Sequence, residues 1–129
     1  MRAADTNVLV RLVTRDDPAQ CERAIKFFDG GDVYFPKTVL LELEWVLRYS
    51  YGLSQTAIVD AINALLNMKR AVAEDESAIR EALDLMARGI DFADALHLTS
   101  SSACKDLATF DQAFAKKIKG FAPGRVALL

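Results

Sequence analysis

The chain has 129 residues, of which 52% are apolar, and a formal net charge of −2, which suits one domain, residues 1–129, with a single hydrophobic core. No apolar run approaches the length of a membrane span and no signal peptide is recognisable, so we expect a cytoplasmic protein with no membrane partner. A charge this small does not demand a nucleic-acid partner, although residues 105–129 carry five basic residues against two acidic ones and would tolerate a polyanion.

Short strands and helices alternate through the first half of the chain. Asp17 and Pro18 match the cap and first position of a helix, Gly30 matches its end, and Ser54 matches the cap of another helix. Pro36 ends a strand, because proline has no backbone N–H to donate. The expected elements are strand 2–5, helix 6–13, helix 18–28, strand 33–35, helix 38–51 and a helix from 55 to 68.

The same alternation continues to the C-terminus. Asp75 is positioned to cap a helix that Gly89 ends, and Asp91 opens the next helix. The expected elements are strand 71–73, helix 76–87, helix 91–104, buried strand 107–109, helix 111–118 and strand 126–129. Strands alternating with helices predict an α/β fold, in which helices cover both faces of a parallel sheet. Cys21 and Cys104 show no metal-ligand spacing and are expected to be buried free thiols.

Two acidic residues follow predicted strands directly. Asp5 ends the first strand, and Thr6 and Asn7 after it offer oxygens that could orient a ligand. Asp111 comes just after the strand that contains Thr109. Because open α/β sheets bind ligands at the carboxyl ends of their strands, both aspartates are candidate site residues. The alternative for each is an ordinary helix N-cap.

A third candidate acid, Glu42, lies within the predicted helix 38–51. On a helical wheel it falls beside Val39 and Val46, at the edge of the apolar face, whereas Glu44 and Arg48 are expected on the opposite side. A carboxylate at such an edge has to be paired, protonated or metal-bound, because an isolated buried charge is too costly. For Glu42, a place in the metal site is favoured over an ion pair.

The segment that begins at Asp91 opens a helix with two aspartates in its first turn. Asp91 fits the cap, and Asp94 at the third helical position is assigned to the site. A purely structural role is the alternative, since the helix dipole favours acids there. His97 lies three residues on, on the same face; a hydrogen-bonded neighbour of the site is favoured over a metal ligand, because magnesium prefers oxygen.

A cluster of three or four carboxylates cannot stay ionised without a cation, since like charges raise one another's pKa values. Mg²⁺ or Mn²⁺ would resolve this with octahedral oxygen ligands and bound waters. Such an ion can activate a water and stabilise charge that develops on a phosphate, so phosphodiester hydrolysis is the predicted chemistry. The candidate ligands are Asp5, Glu42, Asp94 and Asp111.

With these residues placed, the chain resembles the PIN-domain ribonucleases, specifically VapC-like toxins of toxin–antitoxin pairs. Five motifs in this order carry the resemblance: DTNVLVR at 5–11, DDP at 16–18, ELEWVLR at 42–48, DFADALH at 91–97 and TFD at 109–111. It implies a three-layer α/β/α sandwich with a five-stranded parallel sheet, a Mg²⁺ or Mn²⁺ site at the four acids supported by Asn7 and Thr109, RNA as substrate, a homodimer, and inhibition by a VapB-like antitoxin.

Two surfaces are then candidates for contacts with macromolecules. Lys116, Lys117 and Lys119 lie on or just after the helix that starts at Asp111; we expect them to bind RNA, with a simply solvated face as the alternative. The second surface is an extra apolar stripe on the helix 38–51. It predicts a dimer interface, and the alternative is packing against helix 54–68 of the same chain. The residues of the stripe are Leu41, Trp45 and Tyr49.

Three rival functions fit the sequence less well. A phospho-receiver domain would need an acidic pair near the first strand and an acceptor aspartate after the third strand, and neither pattern is present. A haloacid-type phosphatase would need a second aspartate at position 7, which is asparagine. A catalytically silent binding module of the same fold is opposed by the complete set of four acids. Metal-dependent RNA cleavage would distinguish this last rival from an enzyme.

Overall fold

A computed structural model describes all 129 residues, as seven helices and five short strands. The helices are α1 Thr6–Thr14, α2 Pro18–Asp29, α3 Lys37–Tyr49, α4 Gln55–Leu66, α5 Glu76–Ala87, α6 Phe92–Thr99 and α7 Gln112–Ile118. The strands are β1 Arg2–Ala3, β2 Val33–Phe35, β3 Ala71–Ala73, β4 Leu107–Thr109 and β5 Val126–Leu128. By compactness the chain divides into a first unit, residues 1–76, and a second unit, residues 77–129.

All strand pairs are parallel, which confirms the predicted α/β class. In the first unit, β1, β2 and β3 form one sheet, in which Val33 is in register with Arg2 on one side and with Ala71 on the other. In the second unit, β4 pairs with β5. The expectation of one five-stranded sheet is therefore wrong. Strands of two or three residues offer few backbone groups, and β1 ends at Ala3 because α1 already begins at Thr6.

The core of the first unit forms around strand β2 and helix α3. Phe35 on β2 is fully buried, and its ring packs edge-on against Phe28 of α2 with centroids 5.9 Å apart. The inward face of α3 is fully buried, which its apolar residues at helical spacing explain. These residues are Leu40, Leu43 and Leu47. Burial of this stripe sets which side of α3 remains at the surface.

Turn chemistry explains most helix boundaries. Asp17 caps α2 by accepting from the backbone N–H of Gln20 at 3.0 Å, and Ser54 caps α4 by accepting from Ala57 at 3.2 Å, as predicted. The helix expected over 91–104 instead ends at Thr99. Three serines follow, and serine hydroxyls compete for backbone groups; the Ser101 hydroxyl donates to a main-chain carbonyl of α6 at 2.7 Å.

Two further expectations are settled by burial and helix length. Both cysteines are free, as predicted, but only Cys21 is buried and Cys104 is exposed, because it follows the end of α6 rather than lying within it. No helix in the chain is both long enough and apolar enough to cross a membrane.

A polar network joins the end of α1 to the start of α2 and to the residues after α3. Arg11 donates to Asp16 at 3.0 Å and to the Tyr51 hydroxyl at 3.2 Å, and that hydroxyl donates to the other oxygen of Asp16 at 2.6 Å. The Thr14 hydroxyl also lies 2.8 Å from Asp16. These bonds, the one from Tyr51 most strongly, hold the pKa of Asp16 below its usual value.

Tyr51→Phe should weaken the dependence of stability on acid. A lowered pKa means that ionised Asp16 stabilises the fold above the unfolded-state pKa, and that this stability is lost as pH falls through the folded-state pKa. Removing the Tyr51 hydroxyl removes the largest cause of the shift. Denaturant unfolding between about pH 7 and about pH 3 should therefore show a small loss of stability at neutral pH and a shallower fall in acid.

Tyr34→Phe is the matched control, because that residue is half-buried on β2 and its hydroxyl makes no side-chain bond of this network. It should leave the pH dependence as in the unmodified protein. Equal pH dependence for Tyr51→Phe and Tyr34→Phe would contradict the role assigned to the Tyr51 hydroxyl.

Candidate active site

Three aspartates of the second unit line one cavity of about 130 Å³ at the N-termini of α6 and α7. They are Asp91, Asp94 and Asp111, and Lys117 lines the same cavity. The loop before α6 and the turn after β4 thus converge at one place. The sequence predicted all four residues as functional, and the second unit brings them together.

The start of α6 explains how two of these acids come to be neighbours. The side chain of Asp91 accepts from the backbone N–H of Asp94 at 3.2 Å, which is the predicted N-cap. Asp94 therefore lies in the first helical turn, with its side chain half-buried. The cap that begins the helix also delivers a second carboxylate to the cavity.

Asp111 is held by two bonds in the turn between β4 and α7. Its backbone N–H donates to the Thr109 hydroxyl at 3.0 Å, and its carboxylate accepts from the N–H of Phe114 at 2.9 Å. The cap uses one carboxylate oxygen, so a structural role and a ligand role are compatible. The prediction that strand β4 is buried was wrong, since its middle residue, Ala108, is exposed.

The electrostatics of the cavity are those of crowded like charges. Burial raises the pKa of Asp94, and the neighbouring charges of Asp91 and then Asp111 raise it further, while His97 acts in the opposite direction. His97 is exposed and contributes through its charge. The second unit thus concentrates negative charge at a point where a bound cation would relieve the repulsion.

Two features beside the acids suit an extended anionic ligand. The ammonium group of Lys117 lies 3.4 Å from the carbonyl of Gly89 at the cavity, and Lys116 and Lys119 are exposed. Phe110, immediately before Asp111, is 80% exposed. Sequence reasoning did not identify Phe110, although an aromatic residue between a strand end and a helix cap was the available signal.

In the first unit, Asp5 has a similar capping role at the start of α1. Its carboxylate accepts from the backbone N–H of Thr6 at 2.8 Å, so the alternative of an N-cap is realised there too. Asp5 is exposed, as is Asn7. The Thr6 hydroxyl is buried and has no hydrogen-bond partner. A buried hydroxyl beside an exposed carboxylate is a place where a ligand or its bound water would supply the missing bond.

The prediction that Glu42 lies at the edge of the buried face of its helix was wrong. Glu42 is exposed on α3, whereas Glu44 is the buried acid, at 4% exposure, and pairs with Arg48 at 3.0 Å. The reason is that Glu44 lies four residues after Leu40 and three before Leu47, inside the buried stripe. The ion pair that was the alternative for Glu42 is formed by Glu44 instead.

The donor set fits a hard divalent cation that keeps part of its water shell. Carboxylates are the ligands that Mg²⁺ and Mn²⁺ prefer, and magnesium sites commonly use only one or two of them. No group of three or more histidine, cysteine, aspartate or glutamate side chains in either unit is arranged to hold one ion. Waters would complete such a site, and the crowded charge around Asp94 in the second unit provides a reason for binding.

Comparison with known proteins identifies the family. The model of the PIN domain family matches residues 3–119, a range that includes all four predicted acids. No curated protein and no solved structure matches the chain significantly. PIN domains are commonly nucleases and typically use divalent metals. Because the family model spans most of the chain and both units, this protein belongs to the PIN domain family.

Proposed function

We propose that this protein is an endoribonuclease that uses Mg²⁺ or Mn²⁺ to hydrolyse RNA phosphodiester bonds. The observation that carries the proposal is the cavity in which Asp91, Asp94 and Asp111 meet at two helix N-termini. Membership of a family whose members are commonly nucleases supports it. An enzyme of this kind would act in the cytoplasm, where its RNA substrate lies.

In this proposal the carboxylates of Asp94 and Asp111 in the second unit would hold the metal and its waters. Asp5 and Glu42 in the first unit remain ligands predicted from the sequence. When bound, the ion activates a water and offsets the charge that develops on the scissile phosphate. Asp91 and Thr109 keep the acids of the second unit in position through the bonds at 3.2 Å and 3.0 Å described above. His97 supports Asp94 through its charge, whereas Thr6 and Asn7 remain supporting residues of Asp5 as predicted from the sequence.

RNA is favoured as the substrate by the groups around the acids. Lys117 at the cavity and Lys116 and Lys119 nearby supply positive charge for backbone phosphates. The exposed ring of Phe110 suits an unpaired base, because stacking on an aromatic side chain is worth about 1–3 kcal/mol per base. A catalytically silent binding module would share these groups, and cleavage therefore decides between the two.

Asp94→Asn should abolish metal-stimulated RNA cleavage and raise the melting temperature of the metal-free protein. The raised pKa of Asp94 means that its ionised form destabilises the fold at neutral pH, and that this cost disappears as pH falls through the folded-state pKa. Asparagine keeps the shape and removes the charge. Cleavage of a labelled RNA with Mn²⁺ and thermal unfolding in a chelator measure the two effects, and Asp5→Asn should lose cleavage in the same way.

Asp84→Asn, the same change at an exposed position on α5, is the control and should alter neither property. Cleavage by Asp94→Asn at the unmodified rate would refute the assignment of this carboxylate. Metal-dependent RNA binding without any cleavage by the unmodified protein would favour the silent binding module.

Replacing Lys116, Lys117 and Lys119 together with alanine should weaken RNA binding with little change in sequence preference. For each phosphate that the variant no longer neutralises, the slope of log affinity against log salt should fall by about 0.7 for a single strand. Fluorescence anisotropy at several salt concentrations measures this slope. The control replaces two exposed lysines elsewhere, Lys69 and Lys105. An equal change of slope per lysine in the two variants would assign the RNA to another surface.

We also propose that a VapB-like antitoxin inhibits the enzyme. An inhibitor helix needs an apolar groove, and the first unit has a cavity of about 470 Å³ between α1, α2 and α4. Ile25 on its wall is 43% exposed, and Arg15 at its edge would favour an acidic flank on the inhibitor. These features support a toxin whose activity is controlled by a partner protein.

The third element of the proposal is a homodimer whose interface is formed by α3. Trp45 is 54% exposed and Tyr49 63% exposed, and their rings contact each other with centroids 5.2 Å apart. Leu41 beside them is half-buried. Packing against α4 within the first unit, the alternative explanation, therefore leaves most of both rings uncovered. Exposed aromatic residues at helical spacing are typical of two-fold interfaces.

Trp45→Glu should convert the dimer into a folded monomer. A charge placed in a two-fold interface is desolvated twice, once in each subunit, which strongly disfavours association. Sedimentation velocity measures the oligomeric state, and circular dichroism checks the fold. Phe110→Glu, at a residue that is 80% exposed, is the control and should remain a dimer. A folded dimer of Trp45→Glu would move the interface to another surface.

A further inference from the structure

The first unit contains another cavity that none of the proposed roles uses. It measures about 370 Å³ and lies between β1, α1 and α2, within the range of about 300–1,000 Å³ typical of small-ligand sites. We call it the arginine cavity, because three arginines line it. Its lining consists of Arg2, Ala3, Asn7, Val8, Arg11, Gln20, Arg23, Ala24 and Phe27.

Two of the three arginines at the arginine cavity have no acid to balance their charge. Arg11 is neutralised by Asp16, which also binds Tyr51 and Thr14 and is therefore fully engaged. Glu22, the acid next to Arg23, pairs instead with Lys26 at 3.1 Å. No ion pair involves Arg2 or Arg23. Two guanidinium groups therefore remain available to an anion.

Two interactions orient the polar groups of the cavity. The guanidinium of Arg2 lies over the ring of Phe27, 4.6 Å from its centroid, which limits its motion. The side chain of Gln20 accepts from Arg11 at 2.6 Å. Because a guanidinium only donates, the accepting atom is the amide oxygen, and the NH₂ group of Gln20 remains as a donor. Arg2, Gln20 and Arg23 therefore offer donors alone, which selects a ligand rich in acceptors.

We propose that the arginine cavity binds one nucleotide of an RNA chain, with its phosphate between Arg2 and Arg23 and its base against the apolar lining. The apolar residues of the lining are Ala3, Val8, Ala24 and Phe27, which suits a planar base. An acidic peptide would use the arginines but would leave this apolar surface uncovered. The inference that the bound nucleotide belongs to an RNA substrate rests on the proposed ribonuclease function.

Asn7 connects this cavity to Asp5, the predicted site acid of the first unit. It lines the cavity and lies two residues after Asp5, on the first turn of α1. The cavity would act as a subsite that holds single-stranded RNA through groups other than the predicted acids.

The test measures binding of a single-stranded oligoribonucleotide to the full chain by anisotropy in a chelator, which removes the metal that cleavage would need. Arg2→Gln combined with Arg23→Gln should weaken binding about tenfold or more and lower the salt slope by about 0.7, which corresponds to the one phosphate that both arginines neutralise. The control, Lys69→Gln with Lys105→Gln, removes two exposed charges elsewhere and should have a smaller effect. Equal reductions in affinity for the two double variants would overturn the inference.

A second measurement addresses the ligand class. Adenosine monophosphate should shift the NMR signals of Ala3, Val8 and Ala24 at lower concentration than inorganic phosphate does, and the oligonucleotide should bind more tightly than the mononucleotide. A polyglutamate peptide that displaces the oligonucleotide, when the mononucleotide does not, would assign the cavity to an acidic protein and overturn the inference.

Two safeguards keep the result interpretable. If removing the Arg2 guanidinium from the Phe27 ring unfolds the double variant, Arg23→Gln alone replaces it, because that side chain makes no ring contact or ion pair. Binding without metal is independent of cleavage. Arginine-dependent binding by a protein that never cuts RNA would refute the proposed function and retain the subsite, whereas cleavage without arginine dependence would do the reverse.

Discussion

Four helices of this protein begin at aspartate side chains that accept hydrogen bonds from the first backbone N–H groups. Asp5, Asp17, Asp91 and Asp111 do this for α1, α2, α6 and α7. Without an acceptor these N–H groups would be unsatisfied, and the positive end of the helix dipole would lack its counter-charge. Because α6 has only eight residues and α7 only seven, loss of either cap would disturb a large part of its helix.

The same caps concentrate negative charge where the candidate site lies. Each cap needs one carboxylate oxygen, so the second oxygen can serve a ligand. In the second unit this brings Asp91 and Asp111 near Asp94, whose pKa is raised by burial first and by these two charges in addition. The side chains that begin the helices are thus also the ones that would hold the proposed metal.

Charge is handled differently at the other polar sites of the first unit. The pair Glu44–Arg48 and the network around Asp16 both neutralise their charges internally. Arg2 and Arg23 do not, although they lie close to that network in the arginine cavity. Internal neutralisation stabilises structure, whereas uncompensated charge at a cavity is available for a ligand. This contrast distinguishes the proposed subsite from its surroundings.

The sequence by itself determined the elements and the residue types of the site. All five strands and seven helices appear in the predicted order, because caps, glycines and prolines are local signals. It also identified the acids that share the cavity. The tertiary structure alone decided the split into a three-stranded and a two-stranded sheet, the burial of Glu44 rather than Glu42, the exposure of Phe110 and the grouping of the arginines. These outcomes depend on which side of each element meets its neighbours, and interactions between residues distant in the chain set that choice.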